Sequence, residues 1–418
     1  MLDRSVAPPA VSIERPNLPS LDEIKINDGL RVHVLNQGAQ PVVLFEIVIP
    51  VGRFQEPTPG LSYYLFKMLT EGTTSKSSEQ IASIFDFYGS HLEITPTLDY
   101  VSIKLYALNK FFPQLLKLLT EMLTESTFPS KEFETQKAIR TQNIKQQNAK
   151  NTVFASFKFR ELIYGQTHPY GRIITPEQCQ LTTREELLAF APSVRTKPQI
   201  FVTGQVTEEI IRSVSECLST IDFNEFPDSE KAEIIGGKSE TITREGSTQA
   251  SLRIGGFTID KHHEDIHRLK ITNEILGGFF GSRLMKNIRE EKGLTYGIHS
   301  SILHLQHSSY WSIGSELLAD KVDLGISEIN KEISILQNNA PNPHEMEMVT
   351  NYMKGKFLSS FDSPFSAHDM MKNLILNDLS DQYFFDFFDT VQNITAEEIS
   401  TTAQKYFNPE QLTQLVIA

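Results

Sequence analysis

The key segment of this sequence is Gly60-Leu61-Ser62-Tyr63-Tyr64-Leu65-Phe66-Lys67-Met68-Leu69-Thr70-Glu71-Gly72-Thr73. Apolar side chains recur along it at positions i, i+3, i+4, i+7 and i+8: Leu61, Tyr64, Leu65, Met68 and Leu69. Pro57 and Pro59 precede this run and Gly72 follows it, as at the ends of a helix. The pattern predicts a helix with one face in the core.

The wording of this segment resembles the signature helix of the insulinase, pitrilysin and mitochondrial processing peptidase family, roughly G-L-A-H-F-L-E-H-M-x-F-x-G-T. In that family two histidines at i and i+4 hold zinc, and a glutamate at i+3 activates water. The corresponding positions here are Tyr63, Phe66 and Lys67. Because an ammonium cannot donate to a metal, the resemblance implies the frame of a zinc peptidase without its zinc chemistry.

The family's third zinc ligand is a glutamate on a later long helix, and the best aligned position here is Asn143. No Asp or Glu occurs between Lys137 and Arg160. An amide is a poor zinc ligand, so we expect no metal and no other cofactor in this chain.

A second family motif is intact. The run Ser282-Arg283-Leu284-Met285-Lys286-Asn287-Ile288-Arg289-Glu290-Glu291-Lys292-Gly293-Leu294-Thr295-Tyr296 resembles the family's S-R-L-F-x-x-L-R-E-x-x-G-L-A-Y. The resemblance implies that Arg289 and Tyr296 hold a peptide carbonyl and stabilise the tetrahedral intermediate, which is chemistry suited to a guanidinium and a phenol. The alternative is a surface arginine and a core tyrosine.

A competing motif is His263-Glu264-Asp265-Ile266-His267, a literal H-E-x-x-H with Glu290 and Glu291 downstream. Helical periodicity places His263 and His267 on one polar stripe with Lys270 and Glu274, opposite an apolar face. We therefore interpret it as a solvated helix start rather than as a zinc site.

Composition excludes several classes of protein. The 418 residues carry a net charge of −13, which argues against nucleic acid as a partner. Cys179 and Cys217 form neither a disulfide framework nor a metal knuckle. The N-terminal residues show no signal peptide, and the longest apolar run, Val42 to Val51, is strand-sized. We expect a cytoplasmic chain that does not enter a membrane.

The order of elements repeats along the chain, which predicts an α+β fold of two similar duplicated domains. Each domain is expected to be a mainly antiparallel sheet packed against helices. The predicted domains are residues 1–225 and 247–418, joined by a polar linker at residues 226–246. One long helix is expected from Ser130 to Tyr164 and another from Ser282 to Lys292. Gly277 to Gly281 lack the lysine of a phosphate loop and are expected to serve close helix packing.

The pattern is asymmetric, since the zinc half of the family's chemistry is lost and the Arg289/Tyr296 half remains. It resembles the zinc-free subunit of the heterodimeric bacterial members. That resemblance implies a homologous partner chain that carries zinc, and a peptide added as a strand to a sheet edge. The alternatives are a catalytically inert structural or peptide-binding member, and an independent zinc enzyme using His263 and His267.

Overall fold

The computed structural model describes residues 14–26, 29–225, 232–234 and 239–418. Their strands, numbered along the chain, are β1 (Asp22–Lys25), β2 (Arg31–Asn36), β3 (Val42–Ile49), β4 (His91–Pro96), β5 (Val101–Leu108), β6 (Gln199–Gly204), β7 (Glu240–Ile242), β8 (Gln249–Phe257), β9 (Ile298–His304), β10 (Ser309–Leu318) and β11 (Thr413–Ile417).

The α-helices of the described residues are α1 (Leu61–Lys67), α2 (Ser78–Phe87), α3 (Phe112–Glu125), α4 (Ser130–Ala149), α5 (Asn151–Tyr164), α6 (Pro176–Leu181), α7 (Arg184–Phe190), α8 (Glu208–Ser219), α9 (Ile266–Asn273), α10 (Val322–Asn338), α11 (Pro343–Ser359), α12 (Pro364–Leu376), α13 (Gln382–Asn393) and α14 (Ala396–Tyr406). Two π-helical segments, Glu274–Gly278 and Met285–Glu291, lie between α9 and β9.

Two sheets of similar topology confirm the predicted duplicated α+β fold. The first has the strand order β1-β2-β6-β3-β5-β4, and the second has the order β7-β11-β8-β10-β9. Every pairing is antiparallel except β2 with β6 and β7 with β11, which are parallel. Each sheet is covered by amphipathic helices, and each half of the chain has its own large core. This arrangement leaves β4 and β9 as equivalent edge strands.

The register of the strands shows which residues of the two halves are equivalent. Val42 of β3 pairs with Leu108, and Gln249 of β8 pairs with Leu318 in the same place of the second sheet. Counting four residues along each strand makes Glu46 equivalent to Arg253.

The two halves exchange helices. From the first half, α5 packs on β8 and β11 of the second sheet, and from the second half, α12 packs on β6 of the first sheet. The helix α5 follows the longer helix α4, and α12 follows the longer helix α11, so the two occupy equivalent places in the two halves. The exchange therefore fixes the halves to each other by contacts that are related by the duplication.

The His168–Gly171 loop is a second junction between the halves. The rings of Tyr164, His168 and Tyr170 pack together, and Tyr170 donates its hydroxyl proton to the Asp99 carboxylate. The backbone N–H of His307, in the turn between β9 and β10, donates to the Tyr170 hydroxyl at 3.3 Å. The loop therefore has a structural role in this chain.

Three expectations need adjustment. The long helix predicted from Ser130 is divided into α4 and α5, because Lys150 is extended at φ −89° and ψ 115°. The helix expected from Ser282 to Lys292 is π-helical over Met285–Glu291. In the predicted linker, residues 226–231 and 235–238 lie outside the described residues, whereas β7 at its end already belongs to the second sheet.

Candidate functional site

The helix α1 places Tyr63 where the family has its first zinc ligand. Gly60, with φ +88°, lets the chain turn into this helix. Tyr63 is half-buried, and the guanidinium carbon of Arg140 on α4 lies 3.9 Å from the centroid of its ring. Asn143, predicted to stand at the third ligand position, is exposed on the same helix. The α4 side chain that covers Tyr63 is therefore a cation.

The other two positions of the zinc motif are also occupied by side chains that cannot bind zinc. Phe66 is fully buried and belongs to the first core. Lys67 ends α1, and its Nζ donates to the carbonyl oxygen of Ile94 on β4 at 2.9 Å. Burial lowers the pKa of Lys67, and the carboxylate of Glu93 partly opposes that shift.

The donor set at this place does not fit zinc. The metal needs neutral imidazole, thiolate or carboxylate ligands, and Tyr63, Phe66 and Lys67 supply none of them. The Arg140 guanidinium adds a positive charge beside the position. We therefore assign no metal chemistry to this half of the chain.

Arg289 and Tyr296 lie on either side of the turn that precedes β9. Arg289 is half-buried in the π-helical segment, and its guanidinium carbon lies 4.6 Å from the ring centroid of Phe280. Tyr296 is 94% exposed, and Phe280 is 64% exposed. Neither the Arg289 guanidinium nor the Tyr296 hydroxyl forms a hydrogen bond or an ion pair with another described residue.

A cavity of about 460 Å³ lies beside these residues. Phe280 and Gly297 line it, together with Thr152 at the start of α5. Gly277, which also lines it, has no room for a side chain, because a Cβ there would lie 2.8 Å from the Cβ of Ser300. This contact confirms the close packing predicted for the glycine-rich turn.

The H-E-x-x-H segment does not have the geometry of a zinc-binding helix. The helix α9 begins at Ile266, so His263 lies in the preceding turn, where its Nδ1 accepts the backbone N–H of Asp265 at 3.0 Å. The predicted polar stripe was wrong for His267. This residue is buried against the rings of Tyr383 and Phe387, and burial lowers its pKa to about 4.

One group of metal-ligand residue types occurs in the described part of the chain, namely Glu46, His368 and Asp369. An ammonium already occupies its centre. Lys372 Nζ lies 3.1 Å from both oxygens of Glu46 and 2.8 Å from Asp369 Oδ1. Burial opposes ionisation of Glu46, but the hydrogen bond from His368 and the charge of Lys372 bring its pKa below the usual range. This group is an ion-pair network.

Sequence reasoning missed Arg140, Phe280 and the network at Glu46. A signal for the network was present, because Glu46 interrupts the apolar run of β3 and a carboxylate buried there requires partners from another element. The contacts of Arg140 and Phe280 depend on tertiary packing and leave no pattern along the chain.

The comparisons agree with this architecture. The family model "Insulinase (Peptidase family M16)" matches residues 31–174, and "Peptidase M16 inactive domain" matches residues 182–353. The chain therefore belongs to the insulinase family of peptidases. The match to the inactive-domain model is in keeping with a degenerate member of that family.

Some relatives are named zinc proteases, and one is named a non-peptidase homolog. "Uncharacterized zinc protease YmxG" of Bacillus subtilis is 26% identical over 350 residues, covering 80% of this chain and 83% of that protein. "Non-peptidase homolog YmxG" of Helicobacter pylori is 22% identical over 245 residues, or 57% of each chain.

The fold is shared with solved structures. A peptidase M16 inactive domain from Pseudomonas fluorescens superposes with a TM-score of 0.85 at 21% identity, covering 95% of this chain and 98% of that one. A protease from Helicobacter pylori gives a TM-score of 0.83 at 16% identity, with coverage of 96% and 100%. Within the described residues, no helix has the length and apolar character needed to cross a membrane.

Proposed function

We propose that this chain is the zinc-free, substrate-binding subunit of a heterodimeric peptidase. The partner is a homologous chain that carries the zinc ligands and the general base. Arg289 and Tyr296 of this chain hold the peptide and stabilise charge that develops on the attacked carbonyl.

One observation carries the proposal. The zinc positions are filled by Phe66, Lys67 and the stacked pair Tyr63–Arg140, whereas Arg289 and Tyr296 remain accessible. A tyrosine that is 94% exposed next to an exposed phenylalanine leaves apolar surface in water. A bound peptide or a partner chain would remove that surface from water.

The chemistry of the two side chains suits this role. A guanidinium presents several N–H donors in a plane, and a phenol adds one more, so together they can bind a peptide carbonyl oxygen. The ring of Phe280 restricts the motion of Arg289 on one side. The unpaired edge of β9 lies next to Tyr296 and offers backbone groups to an extended peptide.

The test is an assay of the complex formed with a homologous chain that contains H-x-x-E-H. Arg289→Ala should lower kcat/KM about a hundredfold, the usual loss when one oxyanion donor is removed. Arg212→Ala, on the exposed face of α8, is the matched control and should leave the rate unchanged. An Arg289→Ala complex that assembles and retains full activity would contradict the proposal.

A second candidate is a catalytically inert structural or peptide-binding member. The name of the Helicobacter pylori relative, "Non-peptidase homolog", favours it. A complex that assembles with its zinc-bearing partner but hydrolyses no peptide would select this candidate.

A further inference from the structure

Lys261 and Lys270 of the second half are held by neutral hydrogen-bond acceptors. Lys261 lies just before α9 and Lys270 lies on α9, and both are half-buried. Neither forms an ion pair with any described residue. Lys261 Nζ donates to Asn373 Oδ1 at 2.8 Å, and Lys270 Nζ donates to the Tyr383 hydroxyl at 2.5 Å. A half-buried ammonium that makes no ion pair retains the capacity to bind an anion.

His304, at the end of β9, lies between these two lysines. It lines a cavity of about 390 Å³ that also contains Lys270, and a second cavity of about 470 Å³ that contains Lys261. His304 Nδ1 lies 2.8 Å from the hydroxyl oxygen of Ser309, and its Nε2 is enclosed and has no hydrogen-bond partner among the described residues. Three basic side chains thus converge with unused hydrogen-bonding capacity.

The electrostatics of the three groups are consistent with mutual repulsion. Burial lowers the pKa of Lys261 to about 8, with the Asp99 carboxylate partly opposing the shift, and burial and the charge of Lys261 lower the pKa of Lys270 to about 8. Burial and the charges of both lysines lower the pKa of His304 to about 3, with Asp260 partly opposing them. An anion bound among them would relieve this repulsion.

Three acidic groups lie close to the site. Glu274 lines the first cavity together with Lys356, whose Nζ lies 3.5 Å from Glu274 Oε1. That oxygen has no hydrogen-bond partner among the described residues, and burial raises the pKa of Glu274, with Lys356 partly opposing the shift. Asp369 lines the second cavity and is bonded to Lys104 and Lys372. Asp99 accepts hydrogen bonds from Tyr170 and from the backbone of Gln306. None of them pairs with Lys261 or Lys270.

One wall of the first cavity is apolar. Helices α11, α12 and α13 supply it through Met353, Phe357, Met370, Phe384 and Phe387, whereas the polar residues Asn273, Ser300, Ser301, Lys356 and Ser360 also line the cavity. A ligand that contacts both the basic side chains and the apolar wall must have an anionic end and an apolar body of modest size.

We propose that the first cavity binds a carboxylate attached to an apolar group, with the carboxylate held by Lys270 and His304. Lys261, which lines the second cavity beside His304, adds its positive charge. The ligand is either a free medium-chain acid or the C-terminus of a peptide that ends in an apolar residue. The proposal does not rest on the role of Arg289 and Tyr296, which do not line either cavity.

The experiment is titration calorimetry of the full chain at neutral pH and low salt, with octanoate as the first probe. Octanol has the same tail without the charge, acetate has the charge without the tail, and inorganic phosphate is a different anion. We expect octanoate to bind at least about tenfold more tightly than octanol, acetate or phosphate, because one hydrogen bond to a charged group changes an affinity by about that factor. The peptide Ala-Ala-Phe, with a free or an amidated C-terminus, distinguishes the two sources of the carboxylate.

Substitutions locate the binding. Lys270→Met should weaken octanoate binding at least about tenfold, whereas Lys331→Met on the exposed face of α10 should leave it unchanged. Lys261→Met serves as the second variant if Lys270→Met fails to fold. Octanoate binding no tighter than octanol or phosphate, or binding unaffected by the lysine substitutions, would overturn the proposal.

Discussion

Glu46 and Arg253 occupy equivalent positions in the central strands β3 and β8, carry opposite charges, and each holds the helix that arrives from the other half. Glu46 is bonded to His368 and Lys372 of α12. Arg253 donates to the Thr152 carbonyl and to the Ser156 hydroxyl of α5, at 3.1 and 3.3 Å. The duplicated fold thus uses one position of the sheet twice, with opposite charge, to join the two halves.

Glu46→Gln should destabilise the protein by about 3 kcal/mol, because it leaves the ammonium of Lys372 in a largely buried place without its main anion. The measurement is the free energy of unfolding from urea denaturation. Glu23→Gln is the matched control. It breaks the exposed pair with Arg31, which should cost less than about 1 kcal/mol. Equal losses of unfolding free energy in the two variants would show that the buried pair at Glu46 stabilises the fold no more than the exposed pair does.

Tyr170→Phe should cost about 1 to 3 kcal/mol, because the carboxylate of Asp99 loses a hydrogen bond in a buried place. The ring packing against Tyr164 and His168 is retained by phenylalanine, so the loss reports on the hydroxyl alone. Thermal unfolding followed by circular dichroism measures it. Tyr88→Phe, on a half-buried ring whose hydroxyl has no hydrogen bond to another described residue, should leave the midpoint nearly unchanged.

Tyr296→Ala should separate function from stability. A side chain that is 94% exposed contributes little to folding, so the free energy of unfolding should change by less than about 0.5 kcal/mol. In the proposed complex the same substitution should lower kcat/KM at least about tenfold, since a donor to the peptide is lost. A large loss of stability would instead assign Tyr296 to the fold.

Metal analysis tests the loss of the zinc site directly. After dialysis against zinc and then against metal-free buffer, the isolated chain should retain only substoichiometric zinc, because Tyr63, Phe66 and Lys67 offer no suitable donor. The homologous partner with H-x-x-E-H is the positive control. Stoichiometric zinc that is lost in a His263→Ala variant would restore the hypothesis of an independent zinc enzyme.

The fold was predictable because its signals are local or repeated. Ser77 and Gln80 have the spacing of a capping box, and they begin α2. Residues 91–108 alternate in polarity, and they form the hairpin of β4 and β5. The break at Lys150 was not predictable, because the residues on both sides favour helix and the change of direction places α5 on the second sheet.

The site was predictable only in part. The identities of Tyr63, Phe66 and Lys67 predict from the sequence alone that these positions do not bind zinc, since ligand chemistry depends on residue type. The stacking of Arg140 on Tyr63 and the burial of His267 depend on helices that are distant in sequence. The periodicity of α9 assigned His267 to a polar face, but α13 covers that face with aromatic rings.

The buried His267 should make stability fall in mild acid. Its pKa is about 4 in the folded chain and about 6.5 when unfolded, because burial and the charge of Lys270 disfavour the imidazolium, with Asp386 partly opposing them. Below pH 6.5 the unfolded chain therefore binds the proton more readily, and stability is lost progressively between about pH 6.5 and 4. The shift in the pKa of His267 corresponds to about 3 kcal/mol of stability at most.

Substitutions test this assignment. The pKa of His304 is lowered in the same direction, so His267→Leu should remove part of the pH dependence of stability, whereas His344→Leu at an exposed site should remove none. Unfolding free energies measured between pH 7 and 4 check it, and identical slopes for wild type and His267→Leu would contradict the assignment.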